Sequence, residues 1–285
     1  MKHLFWLFLV IQSVTVAIAQ TNEQTVKLIG IVDGFGIKLA ILKVQKTGSG
    51  SPSEFFLKEG QVQEGIEVLA IDSGKETVNV NVAGKTSSLE LEEPDGTRST
   101  NTLASGPSIH LVSIDLQPAI SMYADFKKRT VLQHPELGDP KLSVRAHPRS
   151  ETEAAAIFER MFNERNLATI PDGDKFVMIV PFAFTNSVIP HADAVGVTNA
   201  LIPSLSVNFV GVPVNMVLDV HADFLGRKIV NARDAPQIPT VTFVQTTPLS
   251  KAELCYAFET LIAWRNLRFV PDGRDLKWER IHEPN

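Results

Sequence analysis

The feature that most constrains the fold of this chain is an internal repeat in its C-terminal half. Residues 108–126 align without a gap to residues 206–224, and five of the nineteen aligned positions are identical. Residues 165–173 align to residues 265–273, with six of nine positions identical. Because self-similarity at a fixed period marks tandem structural units, the sequence predicts two copies of one small module, assigned to residues 108–181 and 206–283.

Each copy shows the same order of local signals. An alternating strand is followed by an amphipathic helix, two further strands, a second helix and a hairpin with the turn sequence Pro-Asp-Gly. The first helix is expected to begin at Gln117 or Asn215, with Pro118 at its first position. The spacing of Ser250 and Glu253 predicts a capping box for the second helix, and Ser150 and Glu153 repeat that spacing in the first copy. The predicted order is β-α-β-β-α-β-β, with two helices on one face of a small mixed sheet.

These signals resemble those of the short N-terminal domain of bacterial secretins, which also occurs in TonB-linked signalling receptors. The second copy carries the pattern best, and the first copy departs from it because Lys128 stands where the pattern has glycine. The positions of the second copy that carry the resemblance are Val214, Val217, Leu218, Ala222, Gly226, Leu267, Asp272 and Gly273. The resemblance implies a protein-binding module.

The N-terminal third differs from the repeats in its pattern of predicted elements, because its sequence favours strands and turns. Residues 26–93 hold six short strand candidates separated by turns that contain Gly, Ser and Asp, which predicts a small antiparallel β barrel or sandwich. Glu59 and Gly60, followed by a strand and a hairpin, resemble the periplasmic homology-region domain of the type II secretion inner-membrane clamp protein. In that family the domain docks onto the secretin short domain. Residues 94–107 and 182–205 are interpreted as linkers. The expected fold class is therefore multidomain α+β.

Residues 1–19 have the composition of a signal peptide. Lys2 and His3 precede a short apolar stretch that ends in the small residues Ala17 and Ala19. An uncleaved membrane anchor is the alternative, but polar residues interrupt the stretch. The sequence predicts an exported, periplasmic protein that is peripheral to the envelope rather than membrane-spanning. A partner protein is the expected route of any association with the outer membrane.

Charge and cysteine content narrow the function further. The net charge is -5, and no long run of Lys and Arg is present, which argues against a nucleic-acid partner. The single cysteine, Cys255, cannot form an internal disulfide, and its helical setting predicts a buried apolar side chain rather than a reactive thiol.

The sequence carries no recognised catalytic motif, so no catalytic, cofactor-binding or metal-binding residue is assigned and no cofactor is expected. The nearest approach to a metal site is a pair of His-Ala-Asp triplets, at residues 191–193 and 221–223. His221 aligns with Tyr123, which favours a space-filling role with one hydrogen bond over metal ligation. The Gly-x-Gly at residues 34–36 has no helix after it, so a dinucleotide site is not predicted.

Two tryptophans and two aspartates remain as candidate binding residues. Trp264 and Trp278 are interpreted mainly as core residues, with surface anchoring as the alternative. Asp125 and Asp223 occupy matching helix positions, where a solvated or capping role is the default for each.

The function that these patterns favour is a non-enzymatic protein–protein interaction component of a secretin-type export machine, of the type II secretion or type IV pilus kind. Its expected partner is a secretin or an inner-membrane clamp protein, and self-association into a homo-oligomer is possible because small sheets expose strand edges. The alternatives are a TonB-linked signalling or envelope scaffold protein and, last, an exported hydrolase with an unrecognised site.

Overall fold

The computed structural model describes residues 24–48, 51–91, 106–191, 200–231 and 240–281. The predicted signal peptide and residues 94–105 of the first predicted linker lie outside these ranges. Within them the chain is rich in strands and contains four α-helices, so the expectation of an α+β fold is confirmed. No helix among these residues has the length and apolar character needed to cross a membrane.

The N-terminal unit consists of seven strands in two sheets. Strands β1 to β3 form part of one sheet, and β4 to β7 form the other in sequential order. Both sheets contribute buried side chains to one core, for example Leu42 and Val80, so they pack face to face, and no sheet of the described residues closes into a barrel. The strands are β1 Gln24–Gly34, β2 Ile37–Lys46, β3 Ser53–Leu57, β4 Val62–Gln63, β5 Ile66–Asp72, β6 Thr77–Val82 and β7 Lys85–Glu90.

The first repeat has the element order that its sequence predicts. Its elements are β8 Ser108–Ile114, α1 Leu116–Lys127, β9 Thr130–Gln133, β10 Leu142–Ala146, α2 Glu151–Asn163, β11 Leu167–Asp172 and β12 Phe176–Pro181. The strands divide between two sheets instead of forming the single mixed sheet that we expected: β8 pairs with β10, while β12 pairs with β9 and β11. Side chains of both sheets and both helices share one core, which places apolar contacts on more than one side of each helix.

The second repeat contains β14 Asn208–Pro213, α3 Val214–Leu225, β15 Thr240–Val244, β16 Leu249–Ser250, α4 Lys251–Ala263, β17 Leu267–Asp272 and β18 Asp275–Arg280. A two-residue strand before it, β13 Leu201–Ile202, pairs with β16. The first of the two strands expected after the first helix is reduced in this copy to a bridge, in which Ile229 lies parallel to Leu276 of β18. This bridge occupies the place that β9 takes beside β12 in the first repeat.

The backbone repeats as well as the sequence. Left-handed φ angles occur at equivalent positions of the two copies: 53° at Ser113 and 61° at Gly211, 54° at Lys128 and 64° at Gly226, and 59° at Asn166 and 58° at Asn266. Lys128 therefore adopts at the C-terminal cap of α1 the conformation that glycine provides in the second copy.

The helix caps confirm one prediction and correct another. Ser250 and Glu253 form the complete capping box, while in the first copy the Glu153 carboxylate accepts the Arg149 N–H instead. The expected start of the first helix is wrong by two residues, because the N-cap positions are Asp115 and Pro213. Pro118 is tolerated inside the first turn, where backbone N–H groups have no partner within the helix.

The three units are joined into continuous sheets. β1 adds to β8, giving the order β10-β8-β1-β2-β3, and β15 adds to β9, giving β11-β12-β9-β15-β14. β12 is buried on both faces as a result: Val177 and Ile179 face the core of the first repeat, and Phe176, Met178 and Val180 face that of the second. A continuous apolar run is what burial on both faces requires of a strand. The repeats are therefore packed against each other rather than separated by the connecting segment.

Candidate functional site

The junction between the N-terminal unit and the first repeat is the first candidate interaction surface. β1 and β8 pair antiparallel from Gly30 opposite Leu111 to Asp33 opposite Ser108. Beside this ladder Glu76, in the turn between β5 and β6, lies 3.0 Å from His110 Nδ1 and 2.6 Å from Arg145 Nη2. The carboxylate accepts from two residues of the first repeat, so charged hydrogen bonds supplement the ladder and fix which unit docks there.

Glycine permits the close approach of the chain at this junction. Gly34, the first residue of the Gly-x-Gly at 34–36, would place a Cβ atom 2.4 Å from the Cβ of Pro107. The turn at Phe35 and Gly36 then leads into β2. The motif thus forms a tight turn against the segment that enters the first repeat.

The junction between the two repeats centres on a buried hydroxyl. Val131 of β9 pairs with Val244 of β15, and the adjoining Thr130 is fully buried. Thr130 Oγ1 accepts the backbone N–H of Thr246 at 3.2 Å and of Thr247 at 3.3 Å, and it lies 3.0 Å from Thr247 Oγ1. One side chain therefore satisfies two backbone donors of the other repeat. Sequence reasoning missed Thr130, because the signal lies in contacts between units.

A cleft of about 610 Å³ opens where the three units meet. It is lined by Phe35 of the β1–β2 turn, by Asp125 and Lys128 of the first repeat, and by Thr247 of the second. Burial raises the pKa of the Asp125 carboxyl, although the nearby Lys128 and Lys58 oppose that shift. Asp125 thus lies at the rim of this cleft, and both Asp125 and Asp223, its counterpart in α3, are exposed.

A second cleft, of about 430 Å³, lies in the second repeat and contains His221. His221 is only 1% exposed, its Nε2 lies 2.9 Å from Glu259 Oε1, and its ring stacks on Phe269 at 4.0 Å between centroids. Its Nδ1 has no hydrogen-bond partner among the described residues. In the first repeat the Tyr123 hydroxyl donates to Glu159 at 2.9 Å. The histidine thus fills the place of a tyrosine and makes one hydrogen bond, as predicted.

Of the other His-Ala-Asp triplet, only His191 belongs to the described residues. Its ring packs edge-on against Tyr256 at 4.7 Å, and its Nδ1 lies 2.9 Å from the carbonyl oxygen of Ile189. The Tyr256 hydroxyl donates to Asp172, and burial raises the pKa of Tyr256. Across the described ranges no three His, Cys, Asp or Glu residues gather in a way that would hold a metal ion.

The remaining candidates belong to the core or to its rim. Cys255 is buried, and burial raises the pKa of its thiol to about 11, so the reactive thiolate is scarce at neutral pH. Trp264 is partly buried and packs beside His134. Trp278 is also partly buried, and its Nε1 donates to the carbonyl oxygen of Asn231 at 2.9 Å. Both tryptophans therefore pack against the core of the second repeat.

Comparison of the chain with protein-family models and with curated proteins yields no match.

Proposed function

We propose that this chain is an exported, non-enzymatic protein–protein interaction component of a secretin-type export machine, of the type II secretion or type IV pilus kind. It binds through its two repeated short domains, and its partner is a secretin or an inner-membrane clamp protein. The module boundaries are those of the sequence repeat, residues 108–181 and 206–283.

The observation that carries the proposal is the way in which the N-terminal unit meets the first repeat. A β unit that resembles the homology-region domain adds its strand β1 to the edge of a module that resembles the secretin short domain. Docking between these two kinds of domain is what the resemblance implies. Strand addition is also a general mode of recognition, in which backbone hydrogen bonds supply affinity and neighbouring side chains supply specificity.

The side chains at this junction support a binding role rather than a catalytic one. The Glu76 carboxylate is engaged by His110 and Arg145, which makes it a docking contact. In the second repeat, the Glu259–His221 pair has a structural counterpart in Glu159–Tyr123. A position that accepts either tyrosine or histidine supports packing with one hydrogen bond as its role.

Crosslinking of the protein in its native envelope, followed by mass spectrometry, tests the proposal. We expect crosslinks from residues of the two repeats to a secretin or to its inner-membrane clamp protein. Pull-down with the purified secretin at micromolar concentration is the companion measurement, and an absence of binding there would refute the proposal. Crosslinks only to signalling receptors or to peptidoglycan proteins would favour the envelope-scaffold alternative instead.

A further inference from the structure

The edge strand β14 differs from the other edge strands in its charge. Natural sheets protect exposed edges with charged side chains, because like charges oppose pairing with another chain. Among the described edge strands longer than two residues, β14 is the one without a charged side chain, since it reads Asn-Phe-Val-Gly-Val-Pro. The others carry Glu54 in β3, Lys85 and Glu90 in β7, Arg145 in β10, Arg268 in β17 and Glu279 in β18, whereas Asp172 of β11 is buried and accepts from Tyr256.

The first repeat shows that this edge can accept a strand. β8 is the counterpart of β14, and residues 108–111 of its edge are filled by β1. Pairing stops before the left-handed residue Ser113, and Gly211 repeats that conformation in β14. The equivalent residues of the second repeat are 206–209, and Val210 follows them directly before the left-handed Gly211, so the segment considered for pairing is residues 206–210.

The charges that hold β1 in place are missing from the second repeat. In the first repeat His110 lies opposite Arg145, and both contact Glu76. In the second repeat the corresponding pair is Asn208 opposite Val244. A carboxylate placed as Glu76 is would therefore find neither a histidine nor an arginine at this edge.

Apolar side chains are exposed on and beside this edge. Val210 is 77% exposed and Leu205 is 64% exposed. By contrast, Val112, the counterpart of Val210 in β8, is partly buried. The edge of β14 that pairs with no other described strand thus also offers apolar surface that a partner strand would cover.

We propose that residues 206–210, the first residues of β14 and the two before them, pair with the same segment of a second copy of this chain, antiparallel about a two-fold axis. A two-fold axis makes the contact self-complementary, so that residues near the axis lie opposite their own copies. A charged residue there would face a like charge, whereas Asn208 and its apolar neighbours do not repel one another. Sheet β11-β12-β9-β15-β14 then continues into the second copy as one sheet of twice the width. This inference is independent of the proposed function, because it concerns self-association alone.

Sedimentation equilibrium of the full chain from about 1 to about 300 μM tests the inference. We expect a reversible monomer–dimer equilibrium in this range, and Val210→Lys is expected to raise the dissociation constant about tenfold or more, because it replaces covered apolar surface with a cation in both strands. Val62→Lys is the matched control. Val62 lies in the edge strand β4, and its side chain is 64% exposed. Its substitution is expected to leave the monomer–dimer equilibrium unchanged.

Amide hydrogen exchange of the wild-type chain supplies a readout that needs no substitution. Protection at residues 206–210 is expected to increase with protein concentration, while that of β10, an edge strand with Arg145, stays constant. A chain that remains monomeric at the highest concentration would overturn the inference. So would a dimer that Val210→Lys and Val62→Lys weaken equally, or one in which exchange at residues 206–210 does not depend on concentration.

Discussion

Replacing Thr130 with valine is the sharpest test of how the two repeats are held together. Valine has nearly the shape of threonine, so Thr130→Val fills the same buried space and removes only the hydroxyl. That oxygen accepts the backbone N–H groups of Thr246 and Thr247. Thr130 itself is fully buried, with 0% of its surface accessible to solvent.

The magnitude follows from the two donors that lose their acceptor. A buried polar group without a partner costs about 1–3 kcal/mol, and Thr247 is buried while Thr246 is partly buried. Taking the lower half of that range for each donor, Thr130→Val is expected to lower the free energy of unfolding by about 2–4 kcal/mol. Thr130→Ser keeps the hydroxyl and loses one methyl group, so it is expected to cost about 1 kcal/mol.

Urea unfolding of the wild-type chain and both variants measures these differences. Hydrogen exchange in the same samples locates them, since protection is expected to fall at residues 244–247 in Thr130→Val and to be retained in Thr130→Ser. If the valine variant is as stable as the serine variant, the junction does not depend on the hydroxyl, and the reasoning is refuted.

Three further predictions concern single residues. Gly226→Ala is expected to destabilise the chain by about 1 kcal/mol in thermal unfolding, because Gly226 has a φ angle of +64°. An added Cβ meets no atom within 4 Å, so backbone strain is the whole cost. Lys128→Gly, at the matching cap of α1, is the control and should not destabilise the chain. Burial lowers the pKa of His134 below 6.5, so the unfolded chain binds the proton more tightly and the free energy of unfolding falls as the pH drops below about 6.5. In urea titrations between about pH 7 and pH 5, His134→Gln should lose less of this free energy than the wild type. An equal loss in both proteins would contradict the role given to His134. Cys255, whose pKa burial raises to about 11, is expected to react with a thiol reagent at pH 8 only as fast as the chain unfolds, and rapid labelling of the native protein would show that the thiol is accessible.

The sequence predicted those features that local residues determine. The capping box at Ser250 and Glu253 formed because both partners lie within one turn of each other, and the hairpin before β18 formed around Gly273, whose φ angle is 62°. The repeat predicted the order of elements in the first copy, because equivalent residues build equivalent turns. The exact helix start was missed, since Asp115 and Gln117 both suit a helix terminus and tertiary contacts decide between them.

Features that depend on contacts between units were not predictable from one sequence. The pairing of Val131 with Val244 joins residues more than a hundred positions apart, and no local pattern specifies it. The run of buried residues from Phe176 to Val180 did contain a signal, because a strand that is apolar at every position needs a cover on both faces. Recognising that signal would have predicted that the second repeat packs on the sheet of the first.

The two repeats differ at residues through which the first contacts its neighbours. Core positions keep their apolar character, as Leu111 and Phe209 illustrate. His110, which meets the N-terminal unit through Glu76, becomes Asn208, and Thr130, which meets the second repeat, aligns with Lys228. Loss of these contacts leaves the second copy with the same backbone edge but without the charges that select β1. The edge of β14 exposes Val210 instead, and the proposed pairing with a second copy would cover that side chain.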